Sequence, residues 1–177
     1  MLVTLTPHPL SPCPALDRIE VEMERVSEGR LSLAYSAFGD IERIVVPGWT
    51  KRSRADELWR TTCFEAFVRG RDEGYFEFNL SPSGQWAAYG FDAYREGMRS
   101  VDGVELSGGE PVREEGRLGF SANLDLDRLG LSFESHWRLA LSTVIEATDG
   151  TISYWALAHP SAKPDFHHPD SFVLDLP

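Results

Sequence analysis

Apolar side chains recur at every second position through much of this chain. Ile19, Val21 and Met23 alternate with Glu20, Glu22 and Glu24. Successive side chains of an extended backbone point to opposite faces, so this spacing gives a strand with one oily face and one wet face. Glu28-Gly29 turns the chain. Leu31, Leu33 and Tyr35 then alternate with Ser32 and Ala34, so residues 19–37 read as a hairpin. Gly39-Asp40 makes another turn before IERIVV (41–46), which reads as a strand ended by Pro47-Gly48. KRSRADE (51–57) is a loop or a short helical turn.

The strongest strands follow: CFEAFV (63–68), YFEFNL (75–80) and QWAAYGF (85–91), separated by RGRDEG and SPSG. Residues 101–110 read as a loop or weak edge strand, and RLGFSANLDL (117–126) alternates again. WRLALSTVIEA (137–147) and TISYWALA (151–158) flank Thr148-Asp149-Gly150, a strong hairpin signal. SFVLDL (171–176) reads as a last strand. Helical signal is confined to a short turn within 125–133. About ten strands with little helix predict an all-β fold, an antiparallel β-sandwich or jelly roll. No repeat or linker divides the chain, so residues 1–177 are expected to form one domain.

Hydrophobic residues make up 42% of the chain, enough for a substantial core. The net charge is −11, from 17 Lys+Arg against 28 Asp+Glu. That balance argues against nucleic acid and anionic membrane as partners and favours neutral or cationic ligands. Cys13 and Cys63 match no zinc or redox spacing and read as reduced thiols. MLVTLTPHPL has no basic start and is interrupted by Pro7 and Pro9, unlike a signal peptide or anchor. The expected location is the cytoplasm.

The central strands carry the informative chemistry. Phe64, Ala66 and Val68 share one face of their strand; Phe76, Phe78 and Leu80 share one face of the next. If the two strands pair, these residues face the core. The opposite side gathers Glu65, Phe67, Tyr75, Glu77 and Asn79, as either a solvated exterior or a concave ligand surface. Trp86, small residues at 87, 88 and 90, and then Tyr94 and Arg95 add to it. Aromatic rings beside carboxylates, an amide and Arg suit sugars, whose C–H faces pack on rings and whose hydroxyl pairs take two-pronged hydrogen bonds. The plainer alternative is that Glu65 and Glu77 pair with Arg60 and Arg95.

A second cluster is HPSAKPDFHHPDSF (159–172), where His159, Lys163, Asp165, His167 and His168 sit in a proline-stiffened loop. Its rigidity would favour ligand contact. A metal would use His167, His168 or Asp165, but adjacent histidines on an extended chain point apart, so no metal site is expected. There is no phosphate-binding glycine loop, no G-x-S-x-G and no H-E-x-x-H, so no catalytic residue is assigned. Glu65 and Glu77 remain formal acid–base candidates for an enzyme acting on a sugar derivative. Haem or another redox cofactor would need axial ligands such as Met98, His136, His159 or His167, and no spacing selects a pair. Asn123, Asp125 and Asp127, with Glu134, loosely follow a calcium loop; Leu124 and Leu126 fit an alternating strand better.

ELWRTTCFEAFV, YFEFNLSPSGQWAAYGFDAYREGM and HPSAKPDFHHPDSF together resemble the DOMON-like proteins of bacteria, which are similar to the family-nine carbohydrate-binding modules of xylanases. The resemblance covers residues 15–177 and is densest at 57–98. It implies an immunoglobulin-like or jelly-roll sandwich with a pocket for sugar or haem on one concave face. It also implies Trp59 or Trp86 as a stacking platform, Glu77, Asn79 and Arg95 as polar readers, and Trp49 or Trp155 as a second ring. Those modules work outside the cell, whereas no secretion signal is expected here. The expected ligand-binding set is Trp59, Arg60, Glu65, Glu77, Asn79, Trp86, Arg95, His159, Lys163 and His167. The expected partner is a small molecule of carbohydrate type, and binding is expected rather than catalysis.

Overall fold

A computed structural model describes residues 1–27, 29–70, 73–129, 131 and 136–176, with the side chains of Glu105 and Arg128 excepted. Among the described residues there are fourteen strands. In chain order they are β1 (Leu2–Pro7), β2 (Leu16–Ser27), β3 (Arg30–Gly39), β4 (Ser53–Arg54), β5 (Cys63–Arg69), β6 (Tyr75–Leu80) and β7 (Gln85–Phe91). Then come β8 (Arg99–Ser100), β9 (Glu105–Gly108), β10 (Val112–Glu114), β11 (Arg117–Asp125), β12 (Trp137–Glu146), β13 (Ile152–Ala156) and β14 (Leu174–Leu176). They join in one path, β10-β11-β3-β2-β1-β13-β12-β5-β6-β7-β4, with β9 on β11, β14 on β12 and β8 on β7. Every pairing is antiparallel except β4 with β7. The fold is all-β.

The alternation read in the sequence is the alternation the strands use. Ile19, Val21 and Met23 are buried with Leu31, Leu33 and Tyr35 across the β2–β3 pair. From β5 and β6, Phe64, Ala66, Val68, Phe78 and Leu80 join the same core. The sheet curls so that its two ends meet face to face. Phe64 of β5 stacks on Phe120 of β11 with centroids 5.0 Å apart, and the Tyr35 hydroxyl of β3 donates to the Glu65 carbonyl of β5 at 2.8 Å. Burial of these large apolar side chains drives the folding.

One expected strand is not formed. IERIVV is not a strand: Ile41–Arg43 form a 3-10 turn, and Ile44 makes only a single bridge to Ala147. Gly39 precedes it with φ +144, and a Cβ there would collide with the Ala15 carbonyl, so the chain bends sharply. The prolines near the N-terminus do not prevent a strand. Leu2–Leu5 pair with β2, and Thr6 and Pro7 pair with β13, so β1 straps the two halves of the sheet together. Residues 101–110, read as a loop or weak edge strand, contain the edge strand β9. The expected turn at Glu28 and much of the loop at Arg71–Asp72 lie outside the described residues, as does Glu134.

Candidate functional site

The side of β5, β6 and β7 that faces away from the main core is not wet. Glu65 is 2% exposed, Glu77 5% and Asn79 0%. A second apolar cluster forms there from Phe67, Tyr75, Ala87, Tyr89 and Phe91, closed by Phe172 and Phe166 from the proline-rich loop. That loop (159–172) lies over the sheet, and the central strands are therefore buried on both faces. The carboxylates need not be at an exposed surface for their strands to alternate; the cover comes from a distant part of the chain.

Register fixes who meets whom. Glu65 pairs with Asn79, and Phe67 pairs with Glu77, so both carboxyls and the amide share one face. The Asn79 side-chain amide donates to Glu77 Oε1 at 2.8 Å. On the other flank Ser142 of β12 lies opposite Glu65 and its hydroxyl donates to Glu65 Oε2 at 3.2 Å. His167 reaches in from the loop, with Nε2 3.8 Å from Glu77 Oε2 and Nδ1 2.9 Å from the Tyr75 hydroxyl. The Arg95 backbone N–H donates to the Tyr75 oxygen at 3.2 Å. In the tautomer that accepts the Tyr75 proton at Nδ1, His167 turns Nε2–H toward Glu77.

Beside these groups is a cavity of about 360 Å³. Glu65, Glu77, His167 and Arg95 supply its polar lining, while Trp59, Phe91, Tyr154 and Phe166 supply aromatic walls; Met98, Val144 and Pro164 complete it. Trp59 is presented by the 3-10 turn Leu58–Arg60 and leans edge-on against Tyr89 at 6.1 Å. Arg95 has φ 57, a left-handed conformation uncommon for a non-glycine residue. Its guanidinium is anchored to Asp165 Oδ1 at 2.8 Å, and the Tyr94 hydroxyl donates to Asp165 Oδ2 at 2.5 Å.

The electrostatics follow from burial. Desolvation pushes the Glu77 carboxyl up to about 7, against the Asn79 hydrogen bond and the Arg95 charge, which favour its ionised form. Glu65 is raised as well, by its burial and then by the nearby Glu77 charge, with the Ser142 hydrogen bond opposing. Burial and the Arg95 charge bring His167 down to about 4. Near neutral pH the site thus holds a neutral imidazole and a partly protonated Glu77, with Glu65 raised in the same direction.

Of the residues expected to bind ligand, Trp59, Glu65, Glu77, Arg95 and His167 come together at the cavity. Asn79 lies behind Glu77 and holds it. Trp86 faces the other way: it stands opposite Leu80, shares that residue's face and packs on the main core. Arg60 is exposed and pairs with Glu57, not with either buried carboxylate. His159 lies elsewhere, its Nε2–H donating to the Thr6 carbonyl at 2.8 Å and its ring packing edge-on against His8. Lys163 is exposed and does not border the cavity. Trp155 is buried in the main core, and Trp49 packs over Gly84, both away from the cavity. His167 and His168 point apart, His168 capping Pro169–Ser171. Among the described residues no three His, Cys, Asp or Glu side chains are grouped to hold a metal ion. Asn123 and Asp125 lie in β11.

Sequence reasoning missed Ser142, Val144, Tyr154 and Phe166. The signal for Ser142 was present: Ala140 and Ser142 are small or polar at alternate positions of an otherwise apolar strand, opposite Phe67 and Glu65.

No protein-family model matches the chain, and no curated protein sequence matches it significantly. A solved structure of a proposed carbohydrate-binding protein from Bacteroides uniformis ATCC 8492 has the same fold. It aligns at TM-score 0.63 with 16% sequence identity, over 97% of this chain and 84% of that one.

Proposed function

We propose that this chain is a ligand-binding β-sandwich module whose cavity takes a carbohydrate or sugar-like small molecule, with all of residues 1–177 serving as one domain. The observation that carries the reading is the pair of buried carboxyls, Glu65 and Glu77, facing a cavity of about 360 Å³ walled by aromatic rings. The volume falls in the range of small-molecule sites, roughly 300–1,000 Å³. The rings offer flat apolar surface, and the carboxyls with His167 Nε2–H offer paired acceptors and a donor to hydroxyls. The carbohydrate-binding role proposed for the Bacteroides protein of similar fold is in keeping with this reading. The DOMON-like and family-nine resemblance of the central strings supports it too.

Titration calorimetry against a panel of mono- and oligosaccharides tests it. Binding is expected for the wild type and for Trp86→Ala, which alters the far face. Trp59→Ala and Glu77→Gln are expected to weaken it about tenfold or more. Flat heats for every sugar overturn the reading.

A second reading, an enzyme acting on a sugar derivative, draws support from Glu77 alone: a carboxyl raised to about 7 in a cavity has the acidity of a general acid. Turnover of nitrophenyl glycosides, lost in Glu77→Gln, is its test. The haem alternative fits less well. Met98 and His167 both border the cavity, but His167 Nδ1 is hydrogen-bonded with the Tyr75 hydroxyl and Nε2 lies 3.8 Å from Glu77 Oε2.

A further inference from the structure

Each buried carboxyl at the cavity keeps one oxygen to spare. Ser142 occupies Glu65 Oε2, and Asn79 occupies Glu77 Oε1. Among the described residues no hydrogen bond reaches Glu65 Oε1, and His167 Nε2 stands 3.8 Å from Glu77 Oε2, beyond hydrogen-bond reach. The Arg95 charge favours ionised Glu77, but among the described residues no cation is hydrogen-bonded to either carboxyl. Arg95 is bound to Asp165, Arg60 to Glu57 and Arg54 to Asp56. Buried carboxylates are normally paired, because an uncompensated buried charge is costly. Two raised carboxyls on one cavity, each with a spare oxygen and neither hydrogen-bonded to a cation among the described residues, suit a cationic ligand.

We infer that the cavity takes an amine-bearing sugar, whose ammonium group seats between Glu65 Oε1 and Glu77 Oε2 while the ring lies against Trp59, Phe91 and Tyr154. The inference rests on the ligand-binding reading above and narrows it to a substrate class. Glu65 and Glu77 lie diagonally across the β5–β6 pair on one face, an arrangement that sets such residues roughly 7–8 Å apart, their Cβ atoms somewhat closer, within reach of one small group held by both carboxyls. An ammonium offers three donors and needs no acceptor, so it can serve both free oxygens at once. A hydroxyl has a single proton to give, and a sugar acid would bring a like charge. The aromatic walls also suit a cation, which is attracted to ring faces. The net charge of −11 draws cations toward the molecule.

Proton release is a further consequence. Burial leaves the carboxyls partly protonated, and an arriving ammonium favours their ionised forms, so a proton leaves to solvent as the amine binds. The other titratable groups facing the pair do not compete for that role. Cys63, Tyr75 and Tyr89 on the same sheet, and Tyr35 beneath Glu65, are all raised and stay neutral near pH 7. His167 above is neutral, and Arg95 and Asp165 at the rim remain charged and paired with each other.

Calorimetry on the intact chain at pH 7 in two buffers of different ionisation heat, phosphate and Tris, separates the possibilities. The probes are glucosamine, glucose, N-acetylglucosamine and glucuronic acid. Glucosamine is expected to bind about tenfold or more tighter than the other three, with a heat that differs between buffers by the proton released. Glu65→Gln and Glu77→Gln, whose folding circular dichroism checks, are expected to bring glucosamine to within about twofold of glucose. If glucose or N-acetylglucosamine binds as tightly as glucosamine, with no proton release, this inference falls while the carbohydrate reading stands. If none of the four binds, and the wider sugar panel is also silent, both fall.

Discussion

Glu77 and His167 hold their protons in the reverse of the usual order. A free glutamate titrates near 4.5 and a free histidine near 6.5; here the carboxyl is raised to about 7 and the imidazole lowered to about 4. Between pH 4.5 and 6.5 unfolding moves a proton from Glu77 to His167, with no net uptake from these two groups. Above pH 6.5 the unfolded histidine is neutral too, and only the Glu77 proton is lost on unfolding. A folded-state value above the unfolded one means stability present at low pH and lost as pH rises through about 7. Glu77→Gln, which cannot ionise, is therefore expected to stabilise relative to wild type, increasingly from pH 4.5 upward. At pH 8 the gain is expected to be at least about 1 kcal/mol, or roughly 2–4 °C in Tm for a chain of this size. Melting curves at pH 5 and pH 8 check it; an equal difference at both contradicts it. At this scale the sequence was half legible. Two-residue periodicity put Glu65, Glu77 and Asn79 on one face. It did not give Trp86, because the face of β7 depends on how the SPSG turn sets the register, and the observed register places Trp86 opposite Leu80. Nor did it give burial, which depends on the element that covers the face.

That cover is the proline-rich loop 159–172, whose function is positional. Asp165 ties it down by accepting from the Arg95 guanidinium, the Tyr94 hydroxyl and the His167 backbone N–H. Phe172 anchors its end against Phe67 and Tyr75. The two anchors differ in kind. The Arg95–Asp165 pair is partly solvated, and exposed ion pairs contribute little to global stability. Asp165→Ala is therefore expected to shift Tm only slightly yet to speed hydrogen exchange of the 160–168 amides about tenfold, by local opening. Unchanged exchange there contradicts the anchoring role. Phe172→Ala removes a fully buried ring and is expected to cost about 3–5 kcal/mol in urea unfolding. The loop's contents were visible in the sequence as a cluster of polar groups between prolines. Which of them turn inward was not: His167 goes to the cavity, whereas His159 goes to Thr6 and Lys163 to solvent.

Across the whole molecule the alternating pattern sufficed for the all-β class, since burying one face of each strand leaves few other solutions. It did not reveal β1. Its short stretch near two prolines carries little periodicity, and Leu5 supplies its one fully buried side chain. Yet β1 links β2 to β13 and so continues the sheet between its halves. Leu5→Ala is expected to destabilise the whole fold by about 2–5 kcal/mol, measured by urea denaturation; a loss below about 1 kcal/mol would mean the strap is dispensable. The curl that β1 completes brings β5 against β11 on one face and leaves the other face of β5 and β6 for the loop and the cavity. Amide and indole N–H chemical-shift mapping during titration with the tightest-binding sugar tests that use of the outer face most directly. The expected result is a contiguous set of shifts at the Trp59 indole, Ser142, Tyr154, Phe166 and His167. Shifts confined to Trp49 and Trp86 on the opposite face, or scattered without saturation, would contradict it.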